Sequence, residues 1–284
     1  MKNELIAQKN PKSPISEIFR TLRTNIQFMN SQKGAKTILV TSTVPEEGKT
    51  WISSNLAVTF AQAGKRVVLI DSDMRKGRVH KLFKTDYVPG LSNYLSGIDM
   101  TGNINKIDSD DEEIIYKFIK KTYIDNLYII PSGNYPPNPS ELLTSETTIK
   151  MLEKLKEVFD VVILDGTPSL YVSDSIILSR IVDSTLIVVE HNVTKKDSLL
   201  KVKKAIENVG GKIAGVIVNK MPVNFDKYES TYYYSSTHSK SKDKNRVEML
   251  SNGQKYNLNK KLDKNSDEIL KKIDQLNQDN NFIL

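Results

Sequence analysis

Residues 37–60 constrain the possible folds of this chain more than any other stretch. An apolar run at 37–40 leads into a loop at 41–50 and then into a helix-compatible run at 51–60. The loop ends with a glycine, a cation and a hydroxyl, which are Gly48, Lys49 and Thr50. Backbone N–H groups at a helix start attract anions, lysine adds a full charge, and a threonine hydroxyl can ligate Mg²⁺. The segment therefore predicts a strand, a loop and a helix that together hold a polyphosphate.

The loop departs from the common phosphate-loop pattern at its first position. That pattern begins with glycine, whereas Thr43 occupies the position here. On this segment alone, an ordinary strand–turn–helix unit is an equal alternative to a nucleotide site.

Two later apolar runs, at 66–71 and 159–165, each end in an acid. The acids are Asp71 and, two residues on, Asp73 for the first run, and Asp165 for the second. Such runs are typical of the middle strands of a parallel sheet, whose carboxyl ends converge on a ligand. Carboxylates beside a phosphate loop need a cation between them, because they and a triphosphate would otherwise repel each other. The constellation therefore predicts Mg²⁺ and a nucleotide at one sheet edge.

Further apolar runs alternate with helical patterns along the chain. The runs fall at 127–130, 185–190 and 213–219, and helices are expected at about 13–30, 51–60, 139–156, 173–181 and 195–209. This alternation predicts an α/β fold: a doubly wound, mainly parallel sheet of about five or six strands with helices on both faces. Residues 76–126 are expected to form short helices and loops over the nucleotide edge.

Composition favours a cytoplasmic protein. The chain has no cysteine, no run near the ~18 apolar residues of a membrane span, and no signal-peptide core in residues 1–25. Residues 1–36 carry seven basic and two acidic side chains but no nucleic-acid reader motif. We therefore expect a solvated basic surface there, and no nucleic acid as a partner.

The character of the chain changes after Met221. Four tyrosines stand among serines and threonines, namely Tyr228, Tyr232, Tyr233 and Tyr234. Residues 235–284 hold too little apolar surface to offset their chain entropy. We therefore expect a folded domain over 1–234, with the tyrosine cluster at 228–234, and a polar, disordered tail over 235–284. Within the tail, only 262–276 has the spacing of a short amphipathic helix, suited to docking or transient order.

Together these motifs resemble the bacterial tyrosine kinases of capsular and exopolysaccharide synthesis, the BY-kinase family, in its cytoplasmic stand-alone form. The resemblance covers about residues 13–234 and implies the P-loop NTPase fold. Its marks are Walker A at 43–50, the extra Walker A′ motif at 68–75, Walker B at 161–165, the oligomerisation motif Glu17-x-x-Arg20-x-x-Arg23, and the terminal tyrosines.

The resemblance implies Mg²⁺-dependent transfer of phosphate from ATP to tyrosine, including the tail tyrosines of a neighbouring subunit. The implied roles are Lys49 on the β- and γ-phosphates, Thr50 and Asp73 around Mg²⁺, Asp165 orienting the water shell of the metal, and Asp71 as the base toward the tyrosine hydroxyl. The residues expected to contact the cofactor are Pro45, Glu46, Glu47, Gly48, Lys49, Thr50, Trp51 and Asn219. For Asn219, a bond to the adenine edge and a turn cap are equal alternatives.

The resemblance also implies partners. Glu17 of one subunit would meet Arg20 and Arg23 of the next, closing a homo-oligomeric ring that is octameric in the family. A membrane-embedded chain-length or modulator adaptor would recruit the kinase to the inner face of the membrane and switch it on. A cognate tyrosine phosphatase and polysaccharide-synthesis enzymes as substrates are the remaining implied partners.

Two departures from the family pattern keep other functions open. Glu46 stands where the family has a glycine, and Asp165 is followed by Gly-Thr-Pro instead of x-Pro-Pro. One alternative is a ParA/MinD-type ATPase switch, although the signature lysine of that loop is absent from residues 44–46. The other is a nucleotide-binding pseudokinase scaffold, which Glu46 favours. The tail beyond the tyrosines is also longer than the family pattern.

Overall fold

One seven-stranded sheet forms the centre of the computed structural model, which describes residues 5–29, 35–98, 114–222 and 264–279. The strands are β1 Thr37–Ser42, β2 Val67–Asp71, β3 Lys120–Lys121, β4 Leu127–Ile130, β5 Val161–Pro168, β6 Ser184–Glu190 and β7 Ile213–Asn219. Their order is β3-β4-β2-β5-β1-β6-β7, and all neighbours pair in parallel except β3 with β4. The predicted doubly wound parallel sheet is confirmed. The additional strand is β3, which lies in the region expected to hold only helices and loops.

Helices cover both faces of this sheet. They are α1 Ile6–Lys9, α2 Pro14–Met29, α3 Lys49–Gln62, α4 Val79–Phe83, α5 Leu91–Leu95, a 3₁₀ turn Ile114–Phe118, α6 Pro139–Thr144, α7 Glu146–Val158, α8 Asp174–Ile181, α9 Lys196–Asn208 and α10 Lys264–Asp279. Among the described residues, none of these helices is both long and apolar enough to cross a bilayer.

The central strands are buried on both faces, which is why their sequences are apolar without alternation. All six residues of β1 and all five of β2 are buried. Successive side chains of a strand point to opposite faces, so Leu39 joins one core and its neighbours Ile38 and Val40 join the other. This double burial fixes the sheet, and with it the positions of the loops at its carboxyl edge.

The C-terminal helix α10 packs on the domain. Ile273 is fully buried, and Ile269 and Leu270 pack against the core that includes Tyr128 and Phe159. Asp274 pairs with Lys121 at 2.6 Å and accepts a hydrogen bond from the Tyr128 hydroxyl at 3.2 Å.

Within the tail expected to be disordered over 235–284, residues 264–279 form this helix. Three apolar side chains at helical spacing find a preformed apolar surface there, and burial offsets the entropy of ordering one helix. The helix predicted over 262–276 is present, in its docking role. Residues 235–263, like the tyrosine cluster, lie outside the described residues. The described residues outside 222–264 form one compact unit.

Candidate functional site

The carboxyl ends of three neighbouring strands bring the predicted acids and the phosphate loop together. Asp71 ends β2 and stands directly beside Asp165 of β5 in the parallel register. Asp165 is also the register partner of Val40 on β1, just before the loop that leads to α3. The convergence predicted from the apolar runs is thus present, and it follows from the order β2-β5-β1.

Lys49 and Asp73 form an ion pair within this cluster. The Lys49 Nζ lies 2.9 Å from Asp73 Oδ2, and the other oxygen of Asp73 accepts the Lys76 backbone N–H at 2.9 Å. Burial lowers the pKa of Lys49, but the carboxylates of Asp165 and Asp73 outweigh burial and leave the pKa above its usual value. The ammonium group therefore stays charged and is available to a phosphate.

Asp71 and Asp165 are almost completely buried and only partly hydrogen-bonded. Asp71 Oδ2 accepts the Val79 N–H at 3.0 Å, and Asp165 Oδ1 accepts the Ser53 hydroxyl at 3.1 Å. Thr50 also donates a side-chain hydrogen bond to Asp165. Burial is the largest cause that raises the pKa of both carboxyls, and for Asp71 the neighbouring Asp165 adds to it.

The remaining oxygens of this pair are left for a cation, its water shell or a proton. Asp71 Oδ1 and Asp165 Oδ2 have no hydrogen-bond partner among the described residues, although a buried carboxylate oxygen normally has one. The described residues contain no group of three acidic or histidine side chains ready to hold a metal alone. Mg²⁺ does not need such a group, because it takes one or two protein oxygens and completes its shell with phosphate and water.

An open cleft of about 670 Å³ lies above the acids. Its wall includes most of the predicted cofactor-binding residues, namely Pro45, Glu46, Gly48, Lys49, Thr50, Trp51 and Asn219, together with Asp73. Three other predicted site residues, Glu47, Asp71 and Asp165, lie behind this wall. The side chain of Glu47 points into the protein, where Thr43 and Val44 donate to it.

Two residues of the loop adopt left-handed backbone conformations. Gly48 has φ 95°, and a Cβ at this position would lie 2.2 Å from Asn219 Nδ2. Glycine is therefore required at the entrance to α3, both by conformation and by space. Glu46 has φ 69° at the position where the family pattern has glycine. The backbone thus keeps the shape of a glycine loop although the side chain differs.

The cleft also contains basic residues besides Lys49. Arg75 binds Asp174 through two nitrogens, at 2.8 and 3.2 Å, and this pairing raises the pKa of Arg75. An acid of α8 therefore holds the Arg75 guanidinium at the cleft. Lys76, Arg78 and Lys81 line the cleft farther out. In the sequence, these three residues follow closely after the A′ motif, and this spacing was the signal that could have placed them at the cleft.

The residues predicted for oligomerisation lie on α2. Arg20 pairs with Glu17 of the same helix at 2.7 Å. Arg23 donates to the Thr59 carbonyl of α3 at 2.8 Å, so it already joins two helices within one chain. The predicted phosphoacceptors Tyr228, Tyr232, Tyr233 and Tyr234 lie outside the described residues.

The parallel sheet, the lysine-bearing loop at a helix start and the acids on adjacent strand ends define a P-loop NTPase. A family model described as an AAA domain matches residues 35–217. Tyrosine-protein kinase YwqD of Bacillus subtilis is 34% identical over 236 residues, covering 83% of this chain and 93% of that protein. Tyrosine-protein kinase CpsD of Streptococcus agalactiae serotype III is 37% identical over 206 residues, covering 72% and 82%.

A solved structure agrees with these relatives. The kinase domain of the Escherichia coli tyrosine kinase ETK superposes with a TM-score of 0.70 at 31% identity, covering 78% of this chain and 81% of that one. The chain therefore belongs to the family of bacterial tyrosine-protein kinases.

Proposed function

We propose that this protein transfers the γ-phosphoryl group of ATP to tyrosine, including the tyrosine cluster of a neighbouring subunit, and thereby regulates capsular or extracellular polysaccharide synthesis and export. The tyrosine oxygen forms the new bond to phosphorus, the bond to the bridging oxygen of ATP breaks, and ADP leaves. The observation that carries the proposal is the pair of buried carboxylate oxygens without partners, on Asp71 and Asp165, beside the charged Lys49.

Each polar group of the site has a task in this proposal. Lys49 exchanges its contact with Asp73 for the β- and γ-phosphates, which frees the Asp73 carboxylate. Thr50 and Asp73 would then be the residues that hold Mg²⁺, and Asp165 would act on it through water. When bound, Mg²⁺ neutralises the charge of the phosphates. Phosphoryl transfer needs mainly alignment and charge neutralisation, and these groups supply both.

Asp71 remains the candidate base toward the tyrosine hydroxyl. Its raised pKa gives the carboxylate a higher proton affinity than an exposed aspartate has, which suits a proton acceptor. Asp73 is the natural comparison, because it lines the cleft whereas Asp71 lies behind the cleft wall. We expect Asp71→Asn to lower kcat with little change in the affinity for Mg·ADP. Asp73→Asn should instead weaken the binding of Mg²⁺ itself.

Delivery of the tyrosines requires a ring of subunits, octameric by the family resemblance. On α2, Phe28 is 77% exposed and Ile18 is 45% exposed, beside the charged Glu17 and Arg20. In the ring, Glu17 would exchange its intrachain partner for an arginine of the next subunit. Phosphorylated tails carry roughly −2 per tyrosine and would repel one another, which loosens the ring.

The remaining partners follow the resemblance. We propose that a membrane-embedded adaptor recruits this cytoplasmic protein to the inner face of the membrane and activates it. A cognate phosphatase would reset the cluster, and polysaccharide-synthesis enzymes would be further substrates. Full activity of the purified protein without any adaptor would contradict the adaptor requirement.

Phosphopeptide mapping after incubation with Mg·ATP tests the main proposal. We expect phosphate on Tyr228, Tyr232, Tyr233 or Tyr234 in the wild type and none in Lys49→Met. Lys65→Met removes an exposed lysine and serves as the matched control. Phosphotyrosine that persists in Lys49→Met would mean that another enzyme had added it.

The same incubation, with radioactive phosphorus in the γ-phosphate, separates the other functions. Label on tyrosine identifies a kinase. Released phosphate without labelled protein identifies a ParA/MinD-type switch. Bound nucleotide with neither product identifies a pseudokinase scaffold.

A further inference from the structure

Glu47 is a buried acid within the phosphate loop that the proposed chemistry does not use. Its side chain is 1% exposed, and it accepts the backbone N–H groups of Thr43 at 2.7 Å and Val44 at 2.9 Å. The Thr43 hydroxyl donates to the second oxygen at 2.7 Å, and the Thr194 hydroxyl donates to that same oxygen. Among the described residues, four donors thus converge on one carboxylate, and none of these donors is a cation.

The backbone of Glu47 makes a second connection. Its carbonyl accepts Asn219 Nδ2 at 2.8 Å, and the same amide fills the space beside Gly48 where a Cβ would stand. Asn219 ends β7, and Thr194 lies in the turn after β6. The side chain and carbonyl of Glu47 therefore join the loop after β1 to the ends of two other strands.

A buried carboxylate without a cation is stable only while its hydrogen bonds persist, because desolvation of a charge is costly. If the loop opened, Glu47 would lose the donors from Thr43 and Val44 together. The closed arrangement also uses up these two N–H groups, so the groups left for an anion are those at the start of α3. The Glu47 side chain therefore determines both the shape of the loop and which of its backbone N–H groups remain available to a phosphate.

We propose that Glu47 is a positioning residue, whose carboxylate holds the phosphate loop in its nucleotide-accepting shape and couples it to the turn after β6, while its backbone carbonyl binds Asn219 of β7. This rests on the proposed function only in that the loop binds the phosphates of a nucleotide. Asn219 belongs to the same network, because its side-chain amide holds the Glu47 carbonyl of the loop.

Glutamine at position 47 is the most informative substitution. Glu47→Gln preserves volume but replaces one acceptor oxygen with an NH₂ group. That NH₂ group then faces either two backbone N–H groups or two hydroxyls. The backbone N–H groups cannot accept from it, whereas the hydroxyls can turn to accept, so the orientation toward the hydroxyls is favoured. Loss of the charge-assisted hydrogen bonds predicts an affinity for Mg·ADP that is about tenfold lower or more. Circular dichroism establishes that the variant is folded.

Thr194 gives a second variant that does not alter the loop itself. Thr194→Val removes this donor, and with it the acceptor of the Glu190 backbone N–H, with little change of shape, and Thr194→Ser restores the hydroxyl. We expect Thr194→Val to weaken Mg·ADP binding severalfold and Thr194→Ser to bind as the wild type does. Glu153→Gln, an exposed acid of α7, is the matched control for the loss of charge.

Binding is measured without chemistry. The chain has a single tryptophan, Trp51, and it lines the cleft, so quenching of its fluorescence reports Mg·ADP directly. In the kinase assay, a raised KM for ATP with a smaller change in kcat would indicate that Glu47 positions the loop and does not take part directly in phosphoryl transfer.

Wild-type affinity in both Glu47→Gln and Thr194→Val would overturn the proposal. Weak binding by Thr194→Val together with recovery in Thr194→Ser supports it even if Glu47→Gln does not fold. A wild-type protein that binds Mg·ADP yet labels no tyrosine would refute the proposed function, while the affinity comparison would still decide the role of Glu47.

Discussion

Replacement of Ile273 by alanine tests whether the C-terminal helix α10 contributes to the stability of the domain. The side chain of Ile273 is fully buried in the core that includes Tyr128 and Phe159. The substitution removes three carbon groups, and at about 0.8 kcal/mol each the lost burial costs roughly 2.4 kcal/mol before any cavity forms. The higher helix propensity of alanine offsets a few tenths of a kcal/mol. We therefore expect the free energy of unfolding to fall by about 2–3 kcal/mol.

Urea unfolding followed by circular dichroism measures this change. Lys271→Ala, at an exposed position of the same helix, is the control and should stay within ~0.5 kcal/mol of the wild type. Hydrogen exchange adds a local measurement: if α10 opens alone, faster exchange is confined to 264–279. If Ile273→Ala had the same free energy of unfolding and the same exchange rates as Lys271→Ala, the packing argument would be refuted.

The affinity for Mg·ADP should not change in Ile273→Ala. Asp267, near the start of α10, lies 3.6 Å from Arg66, which precedes β2 at the amino edge of the sheet. The nucleotide cleft lies at the opposite, carboxyl edge. An affinity loss in this variant would mean that the two edges are coupled through the sheet.

Three further predictions concern the loop and the acids. Gly48→Ala should lower the Mg·ADP affinity roughly tenfold or more, because the added Cβ would lie 2.2 Å from Asn219; wild-type affinity in fluorescence titration would contradict this. Glu46→Gly should raise the affinity, because it removes an anion from the cleft wall and suits φ 69°, and the gain should shrink as salt is added to the calorimetric titration. The pKa values of Asp71 and Asp165 are raised in the folded protein, which therefore holds protons that the unfolded chain has already lost. The free energy of unfolding of the nucleotide-free protein should thus fall as pH rises through these raised pKa values. Mg·ADP favours the ionised carboxylates, so its effect on Tm should grow from acidic to neutral pH, and an increment independent of pH would contradict the assignment.

The sheet and its acids were predictable because their signals are local. A buried parallel strand is a continuous apolar run, and an acid directly after it must lie at the carboxyl edge. Residues 66–71 and 159–165 carry both signals within a few positions. Their neighbouring places in the sheet then follow from the usual winding of such folds.

The features that were missed depend on contacts between distant segments. Asp174 meets Arg75 only because α8 and the loop after β2 share one edge. The helix expected over 139–156 is two helices, because Ser145 caps the second by accepting the Thr148 N–H. A serine within a helical pattern does not by itself indicate a cap.

The docking of α10 gives the proposed phosphoacceptor tyrosines a particular covalent setting. In the sequence, Tyr228 to Tyr234 fall between β7 and α10, and both of these elements are part of the folded domain. A free terminus can enter an active site end first, whereas such a stretch must enter as a bend with polypeptide leaving in both directions. A protease that cut between the tyrosines and α10 would create a free end, so the tyrosines could enter end first. All four tyrosines would still be attached to the kinase.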